Sequence, residues 1–378
     1  MSIEVLLNQF KEVSEHPHRQ IEAFKAQGKK VIGVLPYYAP EELVIAAGME
    51  PMGIWGSNKK TISHAKEYCA TFYCTIAQLA LEMLLDGTLD QLDGLITPTI
   101  CDTLRPMSQN FRVAMGDKLP CIFLAHPQHR KPAFGLQFTV DQYSHVKAEL
   151  EKISGTPITD EALREAIKVM NRSRAARREF VKLAGQHPEA VSAVNRSAVL
   201  RSAWFMDKTE HAEKLEALNA ELAALPASNW KGTKILTSGI ICDNPTLLQI
   251  FDDNNLAIAA DDVAQESRSF RVDAAETGDP MMALAQQFAD QDYEVLLYDE
   301  HSNQNRRGEY VANLCKESGA KGLVLFMQQF CDPEEMEYPY LKIALENAGI
   351  PHIKLGVDQQ MRDFGQASTA IQAFADVL

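Results

Sequence analysis

Short apolar runs alternate with amphipathic segments through the first part of the chain. The runs VIGVL, LDGLITPTI and LPCIFLAHP each end at a turn, which predicts buried strands of a parallel sheet. Apolar residues recur at helical spacing from Thr75 to Leu85, and a single amphipathic helix is predicted over residues 4–28. We therefore expect an N-terminal α/β domain over residues 1–157.

The pattern changes in the middle of the chain. Residues 158–226 are charged and rich in alanine and leucine, with helical periodicity and no strand-like run, and PASNWKGTK has the composition of a linker. Strands then alternate with helices again, in the predicted strands KILTSGI, LAIAADD, EVLLYD, GLVLFMQ and HIKLGVD. The predicted fold is α/β, with two Rossmann-like (flavodoxin-like) parallel-sheet domains, residues 1–157 and 230–378, and a helical segment with a linker, residues 158–229, between them.

Composition and charge exclude several classes of function. A chain of 378 residues is too long for one ordinary core, and its net charge of −14 argues against a broad nucleic-acid surface. No apolar run approaches the roughly 18 residues that a membrane span needs. The acidic N-terminus lacks the features of a secretory signal, so a cytoplasmic protein is expected. Neither a Rossmann glycine fingerprint nor a P-loop is present, so ATP hydrolysis by this chain is not expected.

Seven cysteines, without a secretory signal, favour reduced thiols over a disulfide framework. Three of them come just before predicted helix starts: Cys74 precedes the capping-box pattern TIAQ, Cys101 precedes Asp102, which is a predicted N-cap, and Cys331 precedes DPEE. Free backbone N–H groups at a helix start stabilise a thiolate, the form that binds metal. Two of these cysteines belong to the first domain and one to the second, so they would meet in the cleft between domains. Iron–sulfur clusters accept such dispersed ligands.

Packing is the competing interpretation of every cysteine, because cysteine is among the most buried residue types. On spacing alone, a metal site and a packing role are equally supported. Cys121 and Cys315 are interpreted as core residues. Cys242 follows a strand and precedes an aspartate, which makes it a rival ligand on local grounds. No predicted helix start directly follows Cys69, so packing is the expected role of this residue. The chain has no close CxxC pair, which argues against structural zinc.

Three other stretches contain candidate residues. The arginines of NRSRAARREF are interpreted as a solvated helix face, with attraction to an acidic partner or to phosphates as the alternative; they are Arg172, Arg174, Arg177 and Arg178. The stretch AADDVAQESRSF predicts either a cleft edge or a salt-bridged loop through Asp261, Asp262, Glu266 and Arg268. Tyr37 and Tyr38 follow the first strand, where packing is the default and lining a cofactor pocket is the alternative.

At these motifs the sequence resembles the 2-hydroxyacyl-CoA dehydratase component D family, along essentially the whole chain. FYCTIAQLALEMLLDGTLDQLDGLITPTICDTLRPMSQNF matches two of the family's cluster cysteines at Cys74 and Cys101, and GLVLFMQQFCDPEEMEYP matches the third at Cys331. The resemblance implies that these three hold a 4Fe–4S cluster in which one iron has a non-protein ligand. Cys242 matches no family cysteine and becomes a second-rank candidate.

Within this family the sequence most resembles the β subunits of enzymes that act on (R)-2-hydroxyglutaryl-CoA in anaerobic glutamate fermentation. This resemblance also implies an activity. Such a protein is an oxygen-sensitive lyase, active as a heterodimer with a homologous α subunit. A separate ATP-hydrolysing iron–sulfur activator protein supplies one electron. This electron converts the thioester to a ketyl radical anion that expels the C2 hydroxyl group. A proton is then lost from C3 and the electron is recycled, which leaves (E)-glutaconyl-CoA. We expect the β subunit to relay the electron while the α subunit binds the acyl-CoA.

Some family members also contain flavin mononucleotide, for which the sequence indicates no site. Two alternative functions stay open at this point. One is a subunit of a benzoyl-CoA-reductase-type enzyme, which reduces an aromatic ring. The other is a non-catalytic partner or maturation protein whose cysteines belong to the core.

Overall fold

The computed structural model describes residues 2–35, 38–55, 60–298 and 305–378. Its first α/β unit has four strands, β1 (Val31–Val34), β2 (Glu50–Gly53), β3 (Gly94–Pro98) and β4 (Cys121–Leu124). Its helices are α1 (Ile3–Glu15), α2 (His18–Ala26), α3 (Glu41–Ala46), α4 (Thr75–Leu85), α5 (Leu104–Met115) and α6 (Ala133–Ser154). The strands are parallel, in the order β2-β1-β3-β4.

Three helices follow without a strand, as predicted for residues 158–229, all of which are described: α7 (Asp160–Gln186), α8 (Ala193–Ser202) and α9 (Lys208–Ala223). The second α/β unit has strands β5 (Thr233–Gly239), β6 (Leu256–Val263), β7 (Gly322–Gln328) and β8 (His352–Val357). Its helices are α10 (Pro245–Asp253), α11 (Pro280–Ala289), α12 (Arg306–Ser318), α13 (Asp332–Asn347) and α14 (Gly365–Val377). The strand order, β6-β5-β7-β8, repeats that of the first sheet.

The central strands are buried on both faces, which explains their uninterrupted apolar sequences. In β1, Ile32 and Val34 pack into the core on one face of the sheet, whereas Val31 packs into the core on the other face. Side chains alternate between the two faces of a strand, so an apolar residue is needed at nearly every position. The predicted class, two Rossmann-like parallel-sheet units with helices between them, is confirmed, while the domain boundaries stay a prediction.

The helical segment packs against both α/β units. Helix α7 contacts α3 of the first unit and β6 of the second. The approach to β6 is close at Gly185, where an added Cβ would lie 2.4 Å from the carbonyl oxygen of Ala259. None of the helices in the described ranges combines the length and apolar character of a membrane span.

Three sequence predictions differ from the structure. The single helix over residues 4–28 is wrong, because Pro17 lies between α1 and α2 and has no backbone N–H with which to continue the hydrogen bonds of α1. Strand β2 was not expected, since it has four residues and contains Pro51; it lies at the sheet edge, where proline is tolerated.

The predicted strand EVLLYD is also wrong over the described residues 294–298, which form no strand. Leu296 packs instead against Ile100 and Ala264, at the junction of the two α/β units. The carboxylate of Glu294 is buried there and accepts a hydrogen bond from Arg268 at 3.0 Å. The apolar run therefore fills the junction and does not extend the sheet.

Candidate functional site

Three cysteines from distant parts of the chain line one cavity of about 190 Å³. They are Cys74, Cys101 and Cys331, the same three that the sequence pattern indicated. Residues just beyond the carboxyl ends of β1, β3, β5 and β7 contribute to the cavity wall. In each sheet the strand order reverses between two of these strands, and ligands bind at such switch points in α/β folds.

Two of the three cysteines are themselves the N-caps of helices. Cys74 precedes α4, which begins at Thr75 as predicted, and Cys331 precedes α13. The predicted capping box at Thr75 is wrong, because Thr75 is the first helical residue and its hydroxyl points to the second α/β unit. The side-chain amide of Gln78 donates to the carbonyl of Tyr73 at 2.6 Å.

Cys101 lies in a turn between β3 and α5. The helix begins three residues later, and the backbone N–H of Leu104 donates to the Cys101 sulfur at 3.4 Å. The sulfur therefore accepts the hydrogen bond that the sequence assigned to the side chain of Asp102, and the prediction of Asp102 as N-cap is wrong.

Burial dominates the electrostatics of these thiols. It raises the pKa of Cys74 to about 12, and it also raises the pKa values of Cys101 and Cys331. Backbone N–H groups at the helix starts lower each pKa, the direction expected from the sequence, but by a smaller amount than burial raises it. A bound cation reverses this balance, because a thiol that coordinates a metal is deprotonated.

The rest of the wall is mostly apolar. It consists of Leu35, Ile76, Ala77, Ile100, Leu104, Ile240, Leu296, Phe330, Pro333 and Met336, together with the polar Asp102, Thr103, Gln328 and Asp332. An apolar wall excludes water and controls the dielectric around a bound group. The arrangement can hold a group of several atoms through sulfur against a mostly apolar surface.

The remaining four cysteines, all within the described ranges, do not line this cavity. Cys69 lies with its sulfur 3.5 Å from that of Met107 and packs against the main core. Cys242 is buried beside a different cavity, and Cys315 is buried in α12. Cys121 is partly buried in β4. The packing interpretation of Cys121 and Cys315 is confirmed.

A buried ion-pair network reaches the site from the side of α13. Arg268 lies 3.0 Å from Glu294, 3.3 Å from Glu334 and 3.3 Å from Asp262. The three arginines around Asp262 (Arg268, Arg307 and Arg271) hold its pKa at about 2 against the opposing effect of burial. The ion pairs predicted for AADDVAQESRSF are confirmed, whereas Asp261 and Asp262 lie within β6 and not in a loop.

The arginines of NRSRAARREF connect α7 to its neighbours. Arg174 pairs with Glu42, and Arg177 lies over the ring of Phe270 at 4.9 Å. Both arginines are buried, so the prediction of a solvated face is wrong for them. Arg172, which is exposed, pairs with Glu216 at 2.7 Å, and Arg178, which is half-buried, pairs with Asp273 at 2.7 Å.

The tyrosines after β1 are only partly described. Tyr37 lies outside the described residues. Tyr38 has a φ of 52°, packs 5.5 Å from the ring of Phe288 and donates its hydroxyl to Glu294 at 3.1 Å. Packing is therefore the role of Tyr38.

Sequence reasoning missed the residues that join the two α/β units at the cavity. The hydroxyl of Thr75 lies 3.1 Å from the carboxylate of Asp358, and Gln328 lies 3.3 Å from the same hydroxyl. Asp358 comes directly after β8, so an acidic residue at the carboxyl end of a strand was the available signal.

Comparison with known proteins identifies relatives over the full length. A family model described as "2-hydroxyglutaryl-CoA dehydratase, D-component" matches residues 36–378. The chain is 62% identical over 379 residues to the "(R)-2-hydroxyglutaryl-CoA dehydratase, subunit beta" of Acidaminococcus fermentans, with 100% of both chains covered. It is 42% identical to the "(R)-phenyllactyl-CoA dehydratase beta subunit" of Clostridium sporogenes, with 98% of both covered.

A more distant relative is named for another activity. It is a benzoyl-CoA reductase subunit of Thauera aromatica, 27% identical, with 86% of this chain and 84% of the relative covered. The match of the family model to nearly the whole chain and the full-length similarity to two dehydratase subunits lead to one conclusion. The chain belongs to the 2-hydroxyglutaryl-CoA dehydratase D-component family.

Proposed function

We propose that this chain is the β subunit of a 2-hydroxyacyl-CoA dehydratase, a lyase that removes water from (R)-2-hydroxyglutaryl-CoA to form (E)-glutaconyl-CoA. The observation that carries this proposal is the 62% identity, over both full lengths, to a relative of that name. The lower identity of 27% to a benzoyl-CoA reductase subunit makes ring reduction the second candidate.

Cys74, Cys101 and Cys331 are the proposed ligands of a 4Fe–4S cluster. These residues suit such a cluster because they place three thiols on the wall of one mostly apolar cavity. No three histidine, cysteine or acidic side chains in the described residues converge as the ligands of a single metal ion do. In a cluster each cysteine binds a different iron, so its sulfurs stand farther apart than around a single ion.

The reaction explains why such a site is needed. The proton on C3 of a saturated acyl-CoA is too weakly acidic for a positioned base to remove. When bound, the cluster supplies a single electron, and iron–sulfur potentials extend down to about −700 mV. The residues of this chain would hold the cluster: the three thiols bind it, backbone N–H groups such as that of Leu104 donate to the sulfurs, and most of the surrounding wall is apolar.

The proposed enzyme needs other proteins. The two dehydratase relatives are named as β subunits, which supports a partner α subunit, and we assign the acyl-CoA site to that partner. An ATP-dependent iron–sulfur activator is proposed as the electron donor, and flavin mononucleotide as a second cofactor without assigned residues. Flavin released from the purified complex by acid would be recognised by its fluorescence.

Activity distinguishes the candidates. The chain is co-expressed with its α subunit, purified without oxygen and supplied with activator, ATP and Mg²⁺. Formation of (E)-glutaconyl-CoA from (R)-2-hydroxyglutaryl-CoA is the expected result. Reduction of benzoyl-CoA in its place would support the reductase, and an iron-loaded complex that converts neither substrate would contradict both.

A further inference from the structure

One hydroxyl group connects the two α/β units beside the cysteine cavity. The hydroxyl of Thr75 donates to Oδ2 of Asp358 at 3.1 Å. The oxygen of this hydroxyl accepts from the backbone N–H of Gln359 at 3.2 Å and from Nε2 of Gln328 at 3.3 Å. Thr75 belongs to α4 of the first unit, and its three partners belong to the second.

These bonds form a short path from one cysteine to another. Thr75 directly follows Cys74 in the chain. Gln328 is the last residue of β7, and its carbonyl oxygen accepts the backbone N–H of Cys331 at 3.1 Å. The position of Cys74 relative to Cys331 therefore depends on a contact between side chains that are 253 residues apart.

The Thr75–Gln328 contact is buried, which increases its contribution to stability. Thr75 is 9% exposed and Gln328 is 1% exposed. Among the described residues, Oε1 of Gln328 already has no hydrogen-bond partner. Loss of the Thr75 hydroxyl would leave the side-chain amide of Gln328 with only the Gln329 carbonyl, at 3.4 Å, as a partner, and would remove one hydrogen bond each from the partly buried Asp358 and Gln359.

We infer that Thr75 is a positioning residue whose hydroxyl fixes the separation of Cys74 from Cys331 and so holds the two halves of the site together. The inference rests on the proposed function where it concerns the cluster. The contact between the units does not depend on the cluster. Its effect is local, because other contacts, such as that of the Gln360 side chain with the Ile62 N–H at 3.4 Å, also join the two units.

Thr75→Val tests the inference, since it keeps the shape of the side chain and removes the hydroxyl. Thr75→Ser restores the hydroxyl. The matched control is Thr139→Val, because Thr139 is 1% exposed and its hydroxyl donates to Gly135 at 3.0 Å within its own helix. Asp358→Ala removes the acceptor from the opposite side and is the second variant, in case Thr75→Val does not fold.

Two measurements are made on the complex with the α subunit. The first is the rate of iron release to a ferrous chelator without oxygen. The fraction of iron held by this chain should leave about 10-fold faster from Thr75→Val, as expected for a partly buried hydrogen bond to a charged group. The second is amide hydrogen exchange of the peptide that contains Gln359, which should become faster in Thr75→Val. Thr75→Ser and Thr139→Val should match the wild type in both.

The outcomes separate this inference from the proposed function. Unchanged iron release from Thr75→Val and Asp358→Ala, in a wild type that holds iron, overturns the positioning role and leaves the proposed function intact. A wild type without iron overturns the proposed cluster, and exchange at Gln359 then decides whether the hydroxyl joins the units. Unchanged exchange in that protein overturns the inference as well.

Discussion

Arg268 and Glu334 form a buried ion pair beside the candidate site, with Nη2 of the arginine 3.3 Å from Oε1 of the glutamate. Glu334 lies in the first turn of α13, the helix that Cys331 caps. Burial raises the pKa of Glu334 to about 7, although Arg268 and Arg307 oppose this shift. The arginine therefore connects the loop after β6 to the helix start at the site.

Replacement of Arg268 should destabilise the protein strongly. Arg268→Met would leave the carboxylates of Glu294 and Glu334 buried without their main partner, and breaking a buried pair costs about 3–5 kcal/mol. Thermal unfolding measures the effect, with Arg172→Met as the control, because the pair of Arg172 with Glu216 is exposed. Equal shifts of the unfolding midpoint in both variants would contradict the importance of the buried pair.

Glu266 should make stability depend on pH. It is 1% exposed, and burial raises its pKa from 4.5 to about 7 in spite of its pairing with Arg196. A raised folded-state pKa contributes stability that is fully present below the unfolded-state pKa and is lost as pH rises through the folded-state value. This contribution is therefore present below about pH 4.5 and is lost between about pH 4.5 and pH 7.

Comparison with Glu266→Gln isolates that contribution, since glutamine does not titrate. The free energy of unfolding of the wild type minus that of the variant should fall by roughly 3 kcal/mol from pH 4.5 to pH 7.5. Denaturant unfolding of both proteins at several pH values measures this difference. Parallel pH profiles for the two proteins would show that Glu266 has no raised pKa.

Gly185→Ala tests the packing of the helical segment on the second sheet. The new Cβ would lie 2.4 Å from the backbone oxygen of Ala259, so α7 and β6 must separate. Overpacking costs about 1–3 kcal/mol, and the higher helix preference of alanine offsets part of this cost. The free energy of unfolding of Gly185→Ala should therefore be lower than that of the wild type by about 1 kcal/mol. Gly356→Ala is the control, because no described atom lies within 4 Å of its added Cβ. A loss of stability as large in Gly356→Ala would contradict this account.

Much of the fold was predictable because local patterns and topology determine it. Strands such as GLVLFMQ are apolar at nearly every position since both faces are buried, and the helix after Cys74 begins where its sequence indicates. Parallel α/β topology then places Cys101 and Cys331 each beyond a central strand at the carboxyl edge of its own sheet, and the packing of the two units brings them to the same cavity.

The remaining features depend on contacts between distant residues. Nothing in the periodicity near Thr75 indicates that its hydroxyl bonds Asp358, 283 residues away. The arginines of α7 have the spacing of an exposed face, yet Arg174 is buried because Glu42 comes from another helix to meet it. The segment EVLLYD is apolar enough for a strand, yet its described residues form none, and Leu296 packs at the junction of the two units instead.

The iron content of the complex tests the central claim, that Cys74, Cys101 and Cys331 hold a 4Fe–4S cluster, most directly. Iron and acid-labile sulfide are determined in the anaerobically purified complex for the wild type and for five single cysteine-to-serine variants. Each change at one of the three proposed ligands should remove about four iron atoms per complex. Cys69→Ser and Cys242→Ser should retain the full content, and a loss of iron from either of them, or its retention after Cys101→Ser, would contradict the proposed ligand set.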